Sequence, residues 1–259
     1  MGPGEAVAIL GAGAAAGAVN AVVGSGSLIT FPTLLAFGYP PVVANVSNNV
    51  GLVSGNISGA VGYRRELAGQ RARLVRLAAF AVAGSIAGAA ALLSLPSSSF
   101  KLIVPALILI ACVLVLVQPW LSARIAARRA AADAAGGLRR PEHASPLLAA
   151  GVVGSAAYGG YFGAAQGVLV IGLLGSFLDE SLQRINGAKN VLVAVVNGTA
   201  ALVYIIFAHV AWLVVLLIAV GSTLGGIVGA RYGRRLPPLA LRIFVVVIGV
   251  ISAVKLIFF

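Results

Sequence analysis

The sequence contains few acidic residues and few charged residues of any kind. Asp and Glu total 6 in 259 residues, and Asp, Glu, Lys and Arg together make up 9% of the chain. Soluble globular domains carry about 25% charged residues, whereas here 60% of residues are apolar and the mean hydropathy is +1.06. The composition therefore excludes a soluble domain and indicates an all-α polytopic membrane protein in contact with the lipid bilayer.

Cysteine and histidine are also scarce. The single cysteine, Cys112, lies in an apolar run and excludes a disulfide framework, and no group of metal-ligating residues accompanies it. No metal site and no cofactor are expected. The six acids include no pair in the middle of an apolar segment, and a hydrolase using Ser25 or Ser27 with His209 is disfavoured because His209 falls in a predicted external loop. The chain is therefore predicted to lack catalytic residues and not to be an enzyme.

Basic residues are unevenly distributed, and the formal net charge is +12. Of 18 Lys and Arg residues, five lie within 64–76, five within 124–140 and four within 231–242. By the positive-inside rule these segments are cytoplasmic, and the uncharged loops at 94–100 and 208–211 are external. The charge is therefore mainly an orientation signal that predicts both termini to be external, and nucleic acid is not expected as a partner.

Apolar runs and their interruptions divide the chain into ten segments. A crossing helix needs about 20 residues, so the sequence predicts eight to ten transmembrane helices, with four short Gly-rich segments that either cross or re-enter. We predict a first repeat at 1–121, a basic cytoplasmic linker at 122–146 and a second repeat at 147–259. The segments are 5–23, 25–37, 42–63, 74–95, 100–121, 147–162, 165–178, 184–207, 211–230 and 239–258.

The two halves align without gaps at an offset of 141 residues. Gly26 aligns with Gly167, and three asparagines of the first half align with three of the second. The basic loop at 64–76 corresponds to the uncharged loop near 209, so equivalent loops face opposite sides of the membrane. This pattern predicts two inverted-topology repeats of about five segments each, an architecture typical of secondary transporters.

Two Gly-rich interruptions are candidates for a substrate site. Ser25, Gly26 and Ser27 precede a short helix, and Gln166 and Gly167 occupy the equivalent place in the second half. Glycines permit close backbone approach, and a helix N-terminus that begins inside the membrane can bind an anion. The alternative is close helix packing through small residues.

Asparagines form a second candidate feature. Asn45, Asn49 and Asn56 fall on one helical face, and Asn186, Asn190 and Asn197 repeat the spacing. They could line a substrate cavity, or hold helices together through interhelical hydrogen bonds. Lys189 stands beside the second stripe, where an ammonium would favour an anionic substrate; alternatively, its side chain extends to the membrane surface beside Asp179, Glu180 and Arg184.

These features together resemble the sulfite exporter TauE/SafE family, also called the toluene-sulfonate uptake permease family. The resemblance rests on the Gly-rich interruption before a proline at 24–34, on the segment 44–50 followed by 59–65, and on the duplicated second half. It covers about 10–120 and 148–258. The chain departs from the commoner Gly-Gly-Gly pattern at Ser25 and Ser27 and at 164–166.

The resemblance implies transport of a small sulfur-containing anion such as sulfite, thiosulfate or an organosulfonate across a bacterial inner membrane. Together with the inverted repeats it predicts a permease or exporter that works by alternating access. Transport of another small anion, or a structural subunit that transports nothing, remains the alternative. The coupling ion, H⁺ or Na⁺, the direction of transport and the existence of a homodimer are left open.

Overall fold

A computed structural model describes residues 1–134, 145–232 and 238–258, and these residues form helices and no strands. The all-α prediction is confirmed. The helices are α1 (Pro3–Val22), α2 (Ser27–Ala36), α3 (Pro41–Gly62), α4 (Arg71–Ser94), α5 (Ser97–Ala134), α6 (Pro146–Tyr161), α7 (Gln166–Phe177), α8 (Leu182–Phe207), α9 (Trp212–Tyr232) and α10 (Pro238–Phe258).

The helix boundaries follow local sequence. Prolines stand at the start of α1, α3 and α6. At this position a backbone N–H would have no acceptor within the helix, so proline, which lacks the N–H, breaks no helical hydrogen bond. Among the described residues, five helices are long and apolar enough to cross a membrane, namely α1, α4, α5, α8 and α9. Helix α5 continues through 122–134, so the first part of the predicted linker is helical, and 135–144 lies outside the described residues.

The helices repeat at the offset found in the sequence. Helices α3, α4 and α5 begin at residues 41, 71 and 97, and α8, α9 and α10 begin 141 residues later, at 182, 212 and 238. Packing repeats as well: α1 packs on α9 as α6 packs on α4, and α2 contacts α10 as α7 contacts α5. Each of these contacts joins one half to the other, and each has a counterpart in which the two halves exchange roles.

Equivalent helices of the two halves run in opposite directions where they touch. Asn49 of α3 contacts Asn197 of α8, while Tyr63, at the other end of α3, contacts Asn186. Helices α5 and α10 show the same relation, because Cys112 meets Val246 and Gln118 meets Arg242.

Helices α1 and α2 form a hairpin that returns to its starting end. Tyr39, just after α2, donates a hydrogen bond of 3.0 Å from its hydroxyl to Glu5 in the first turn of α1. The turn between the helices contains Gly24 at φ +83°, a left-handed conformation suited to glycine. Helices α6 and α7 form the equivalent hairpin, so the short Gly-rich segments fold back on themselves.

The described parts of the three basic segments lie at one end of the bundle. Gly62 at the end of α3 packs against Ala230 at the end of α9, and Ile125 of α5 packs against Gly175 of α7. Arg73 at the start of α4 forms an ion pair with Glu180, between α7 and α8. This clustering agrees with the arginine distribution read from the sequence, and residues 233–237 lie outside the described part.

Candidate functional site

The tips of the two hairpins meet in the interior of the bundle. The amide of Gly167 donates to the carbonyl oxygen of Gly24 at 3.3 Å. A Cβ on either glycine would lie 2.6 Å from the Cα of the other, closer than side chains tolerate. Glycine is therefore required at both positions for this close approach.

Ser25 and Gln166 flank this contact and occupy equivalent positions in the two halves. Ser25 is 0% exposed and Gln166 is 1% exposed. The Ser25 hydroxyl and both polar atoms of the Gln166 amide have no hydrogen-bond partner in the described residues. A buried polar atom without a partner costs about 1–3 kcal/mol. The hairpin tips therefore present polar groups that a ligand or water would satisfy.

The tip of the first hairpin is held by Asn20, which the sequence reading missed. The amide of Gly26 donates to Asn20 Oδ1 at 2.6 Å, and Asn20 Nδ2 donates to Asn56 Oδ1 at 3.1 Å. Ser27, the first residue of α2, is buried beside them. An asparagine inside an apolar helix, four residues before a glycine break, was the available signal. Because the Gly26 amide is already bonded, a ligand would have to replace Asn20 to use it.

Lys189 lies against the end of α1 and is completely buried. Its Nζ donates to the carbonyl oxygens of Asn20 at 2.9 Å and Ala21 at 3.4 Å, and Asn190 Nδ2 donates to the Ala21 oxygen at 3.3 Å. The last carbonyls of a helix lack partners within the helix and carry partial negative charge. The lysine side chain therefore does not extend to the membrane surface. Among the described residues, the hydrogen-bond acceptors of its ammonium are backbone carbonyl oxygens and not carboxylates.

The second hairpin is held in a related way by the first half. Asn45 Nδ2 donates to the carbonyl oxygen of Tyr161, the last residue of α6, at 3.0 Å. Asn48, which occupies the position equivalent to Lys189, accepts a hydrogen bond from Thr30 of α2. Thr30 and Asn48 were not predicted as site residues. Each hairpin is thus tied to a helix of the opposite half, the first to α8 through Lys189 and Asn190 and the second to α3 through Asn45.

The asparagine stripes meet between α3 and α8. Asn49 Nδ2 donates to Asn197 Oδ1 at 3.4 Å, while Asn49 Oδ1 and Asn56 Nδ2 have no partner in the described residues. Asn186 donates instead to the Tyr63 hydroxyl at 3.0 Å. The structure therefore brings most of the predicted residues around the hairpin tips, whereas Asn186 bonds to the end of α3.

The centre is closed in this conformation. Ser25, Gln166 and Lys189 are each at most 1% exposed. Cavities do occur at the two opposite ends of the bundle, one beside Arg64 and one beside Lys101. Access to the hairpin tips therefore requires movement of the helices around them.

An ion-pair network closes the basic end of the bundle. Glu180 Oε1 accepts from Arg73 at 2.8 Å, and Glu180 Oε2 accepts from Arg184 at 2.5 Å. Gln70 Oε1 accepts from the same Arg73 guanidinium at 2.6 Å. Burial alone would raise the pKa of Glu180, but hydrogen bonds and charges from Arg184 and Arg73 outweigh it and hold the pKa below its usual value. This network joins α4 of the first half to the α7–α8 loop of the second.

A bundle of apolar helices around a closed polar centre, formed by two broken helices, is typical of multi-pass membrane transporters. Residues 9–256 of this chain match the family model for the sulfite exporter TauE/SafE proteins. The chain belongs to the sulfite exporter TauE/SafE family. The family resemblance read from the sequence is confirmed, and the chain is a membrane transporter rather than an enzyme.

Two curated relatives span almost the same length. The probable membrane transporter protein YfcA of Escherichia coli (strain K12) is 26% identical over 246 residues, covering 94% of this chain and 86% of the relative. A probable membrane transporter protein of Haemophilus influenzae is 24% identical over 240 residues, covering 93% of this chain and 89% of the relative. No solved structure matches the chain significantly.

Proposed function

We propose that this transporter moves a small sulfur-containing oxyanion, such as sulfite, thiosulfate or an organosulfonate, across a bacterial inner membrane. The observation that carries the proposal is the burial of Lys189 beside unpartnered polar groups at the hairpin tips. A buried cation without a carboxylate partner is unfavourable. A bound anion would compensate that charge and satisfy the free polar atoms. The name of the family, sulfite exporter, supports the same class of substrate.

The residues at the centre divide into two roles in this proposal. Ser25, Gln166, Asn49, Asn56 and Asn197 contact the anion through hydroxyl and amide groups. Lys189 supplies positive charge beside the end of α1. The remaining predicted residues set the shape of the site. Gly167 permits the two tips to approach, and Gly26 permits close contact with α1. Asn45 and Asn190 hold the hairpins, Ser27 is buried at the start of α2, and Asn186 bonds to Tyr63.

Alternating access follows from inverted repeats in this proposal. The repeated helix starts, the exchanged packing partners and the opposite directions of α3 and α8 support that architecture. Lys189 and Asn190 of the second half hold the first hairpin, and Asn45 of the first half holds the second. Rocking one half against the other would therefore shift the hairpin tips and open the site to one side at a time.

Proteoliposomes containing the purified protein test the proposal. We expect uptake of ³⁵S-labelled sulfite or thiosulfate under an imposed proton or sodium gradient. Gln166→Leu removes a polar group that contacts the anion, so uptake is expected to fall about tenfold or more, the size of one hydrogen bond to a charged group. Ser94→Ala, on an exposed hydroxyl, is the matched control and should transport normally.

Failure to transport any sulfur oxyanion under either gradient would overturn the substrate assignment. Normal uptake by Gln166→Leu would instead reject the site while leaving the substrate class in place. The two outcomes therefore test the substrate and its location separately.

A further inference from the structure

A cavity of about 810 Å³ opens at the basic end of the bundle, between the ends of α3 and α9. Three arginines line it, Arg64 and Arg65 from the segment after α3 and Arg231 from the last turn of α9, together with the single acid Glu66. We call this cavity the arginine pocket. Positive charge exceeds negative charge among its lining residues, so it favours an anionic ligand.

The wall of the arginine pocket toward the membrane is apolar. Val61 and Ile227 line the cavity and are 54% and 53% exposed. Below them the outer faces of α3 and α9 carry further exposed apolar side chains, including Ile57 and Leu224. A ligand seated in the pocket would thus touch arginines at one end and a hydrocarbon-facing groove at the other.

The position of the pocket relative to the bilayer is indicated by neighbouring residues. The Arg231 guanidinium lies 5.7 Å from the centre of the exposed Tyr232 ring. Tyrosine is enriched at membrane interfaces, where its ring reaches the headgroup level. The pocket also lies at the end of the bundle where the described parts of the basic segments gather.

We infer that the arginine pocket binds an anionic phospholipid, with the headgroup phosphate on Arg64, Arg65 and Arg231 and an acyl chain along the groove between α3 and α9. Clusters of Lys and Arg next to membrane helices attract anionic lipids electrostatically, and bidentate arginine pairs suit phosphate oxygens. The apolar wall favours a lipid over a free anion, because an acyl chain packs along it while the headgroup contacts the arginines, whereas a small ion contacts the arginines alone. This site is separate from the closed centre at the hairpin tips.

Native mass spectrometry of the delipidated protein with added phosphatidylglycerol tests the inference. The variant Arg64→Gln/Arg231→Gln removes two arginines from the pocket. The matched control, Arg71→Gln/Arg76→Gln, removes two exposed arginines from the same end of the bundle but outside the pocket. We expect lipid adducts in the wild type and the control, and about tenfold weaker adduct formation in the pocket variant. Thermal unfolding of both variants shows that each is folded.

Two further ligands separate the sources of binding. Phosphatidylcholine has the same acyl chains without net charge, and glycerol 3-phosphate has the anionic headgroup without chains. We expect weak binding of both. Equal phosphatidylglycerol binding by the pocket and control variants would overturn the inference, as would equally tight binding of phosphatidylcholine. Displacement of the lipid by millimolar glycerol 3-phosphate would show a free-anion site instead.

Discussion

Buried polar side chains form two groups in this molecule. Asn20, Asn45, Lys189 and Asn190 donate or accept hydrogen bonds that hold the broken helices in place. Ser25 and Gln166 lie at the hairpin tips with polar atoms that have no partner in the described residues. The first group stabilises the fold, and Lys189 in addition supplies the charge of the proposed site. The second group is the part of the centre that we propose contacts the ligand.

This division predicts opposite effects on stability. Gln166→Leu removes two unpaired polar atoms, each of which costs about 1–3 kcal/mol when buried, so the melting temperature without substrate should stay the same or rise. Asn190→Leu, the comparison variant, removes a hydrogen bond to the end of α1 and should lower it. Thermal unfolding in detergent measures both. Equal destabilisation by the two variants would show that Gln166 has a structural role.

Spacing alone identified the asparagine stripes, because residues on one helical face recur at known intervals. It could not identify their partners. Asn45 bonds to Tyr161 and Lys189 bonds to Asn20, pairs that are more than 100 residues apart in the chain. Asn20 was missed because a single amide in an apolar helix has no spacing pattern.

The hairpins are the elements on which the site depends. Their tips touch at Gly24 and Gly167, where the amide of one half bonds to the carbonyl of the other. The sequence left open whether these short helices cross or re-enter, since length and composition fit both. The direction of α2 is settled by the long-range contact between Tyr39 and Glu5.

Gly167→Ala tests the contact between the tips. Its Cβ would lie 2.6 Å from the Gly24 Cα, so the hairpins must separate. We expect lower thermal stability and loss of transport. Gly154→Ala is the control, because a Cβ there meets nothing within 4 Å and alanine favours helix by about 1 kcal/mol over glycine. Normal transport by Gly167→Ala would contradict a requirement for close approach.

Glu180 gives a pH-dependent prediction for the link between the halves. Because Arg184 and Arg73 hold its pKa below the usual value, its ionised form stabilises the folded protein. That stabilisation is complete above the ordinary glutamate pKa of about 4.3 and is lost as pH falls through the lower folded-state value.

The melting temperature of the wild type should therefore exceed that of Glu180→Gln at neutral pH, and the difference should shrink as the pH falls below about 4. Thermal unfolding of both proteins across this pH range measures the difference. A difference that does not change with pH would show that the Glu180 charge is not responsible.

At the scale of the whole molecule, the two halves pack through exchanged partners rather than as separate bodies. Helices α1 and α6 pack on α9 and α4 of the opposite halves. The offset of 141 residues and the helix starts could be predicted from sequence, because glycines, prolines and apolar runs mark them locally. The packing partners could not, since small residues are spread through most of the helices.

Orientation in the membrane is a prediction of the arginine distribution. Starting from Cys112→Ala, a protein without cysteine, Ser98→Cys places a thiol in the predicted external loop and Arg71→Cys places one at the basic end. In intact cells, an impermeant maleimide should label only the Ser98→Cys protein, and permeabilisation should expose the Arg71→Cys thiol. Labelling in the reverse order would place the basic end outside and contradict the predicted topology.

The central claim is that a small sulfur oxyanion binds at the hairpin tips beside Lys189. Equilibrium binding of ³⁵S-labelled sulfite or thiosulfate to the purified protein tests it most directly. We predict saturable binding by the wild type and by the control Lys255→Met, and binding at least about tenfold weaker in Lys189→Met, because that variant removes the positive charge beside the site. Equal affinity in Lys189→Met and Lys255→Met would contradict the claim.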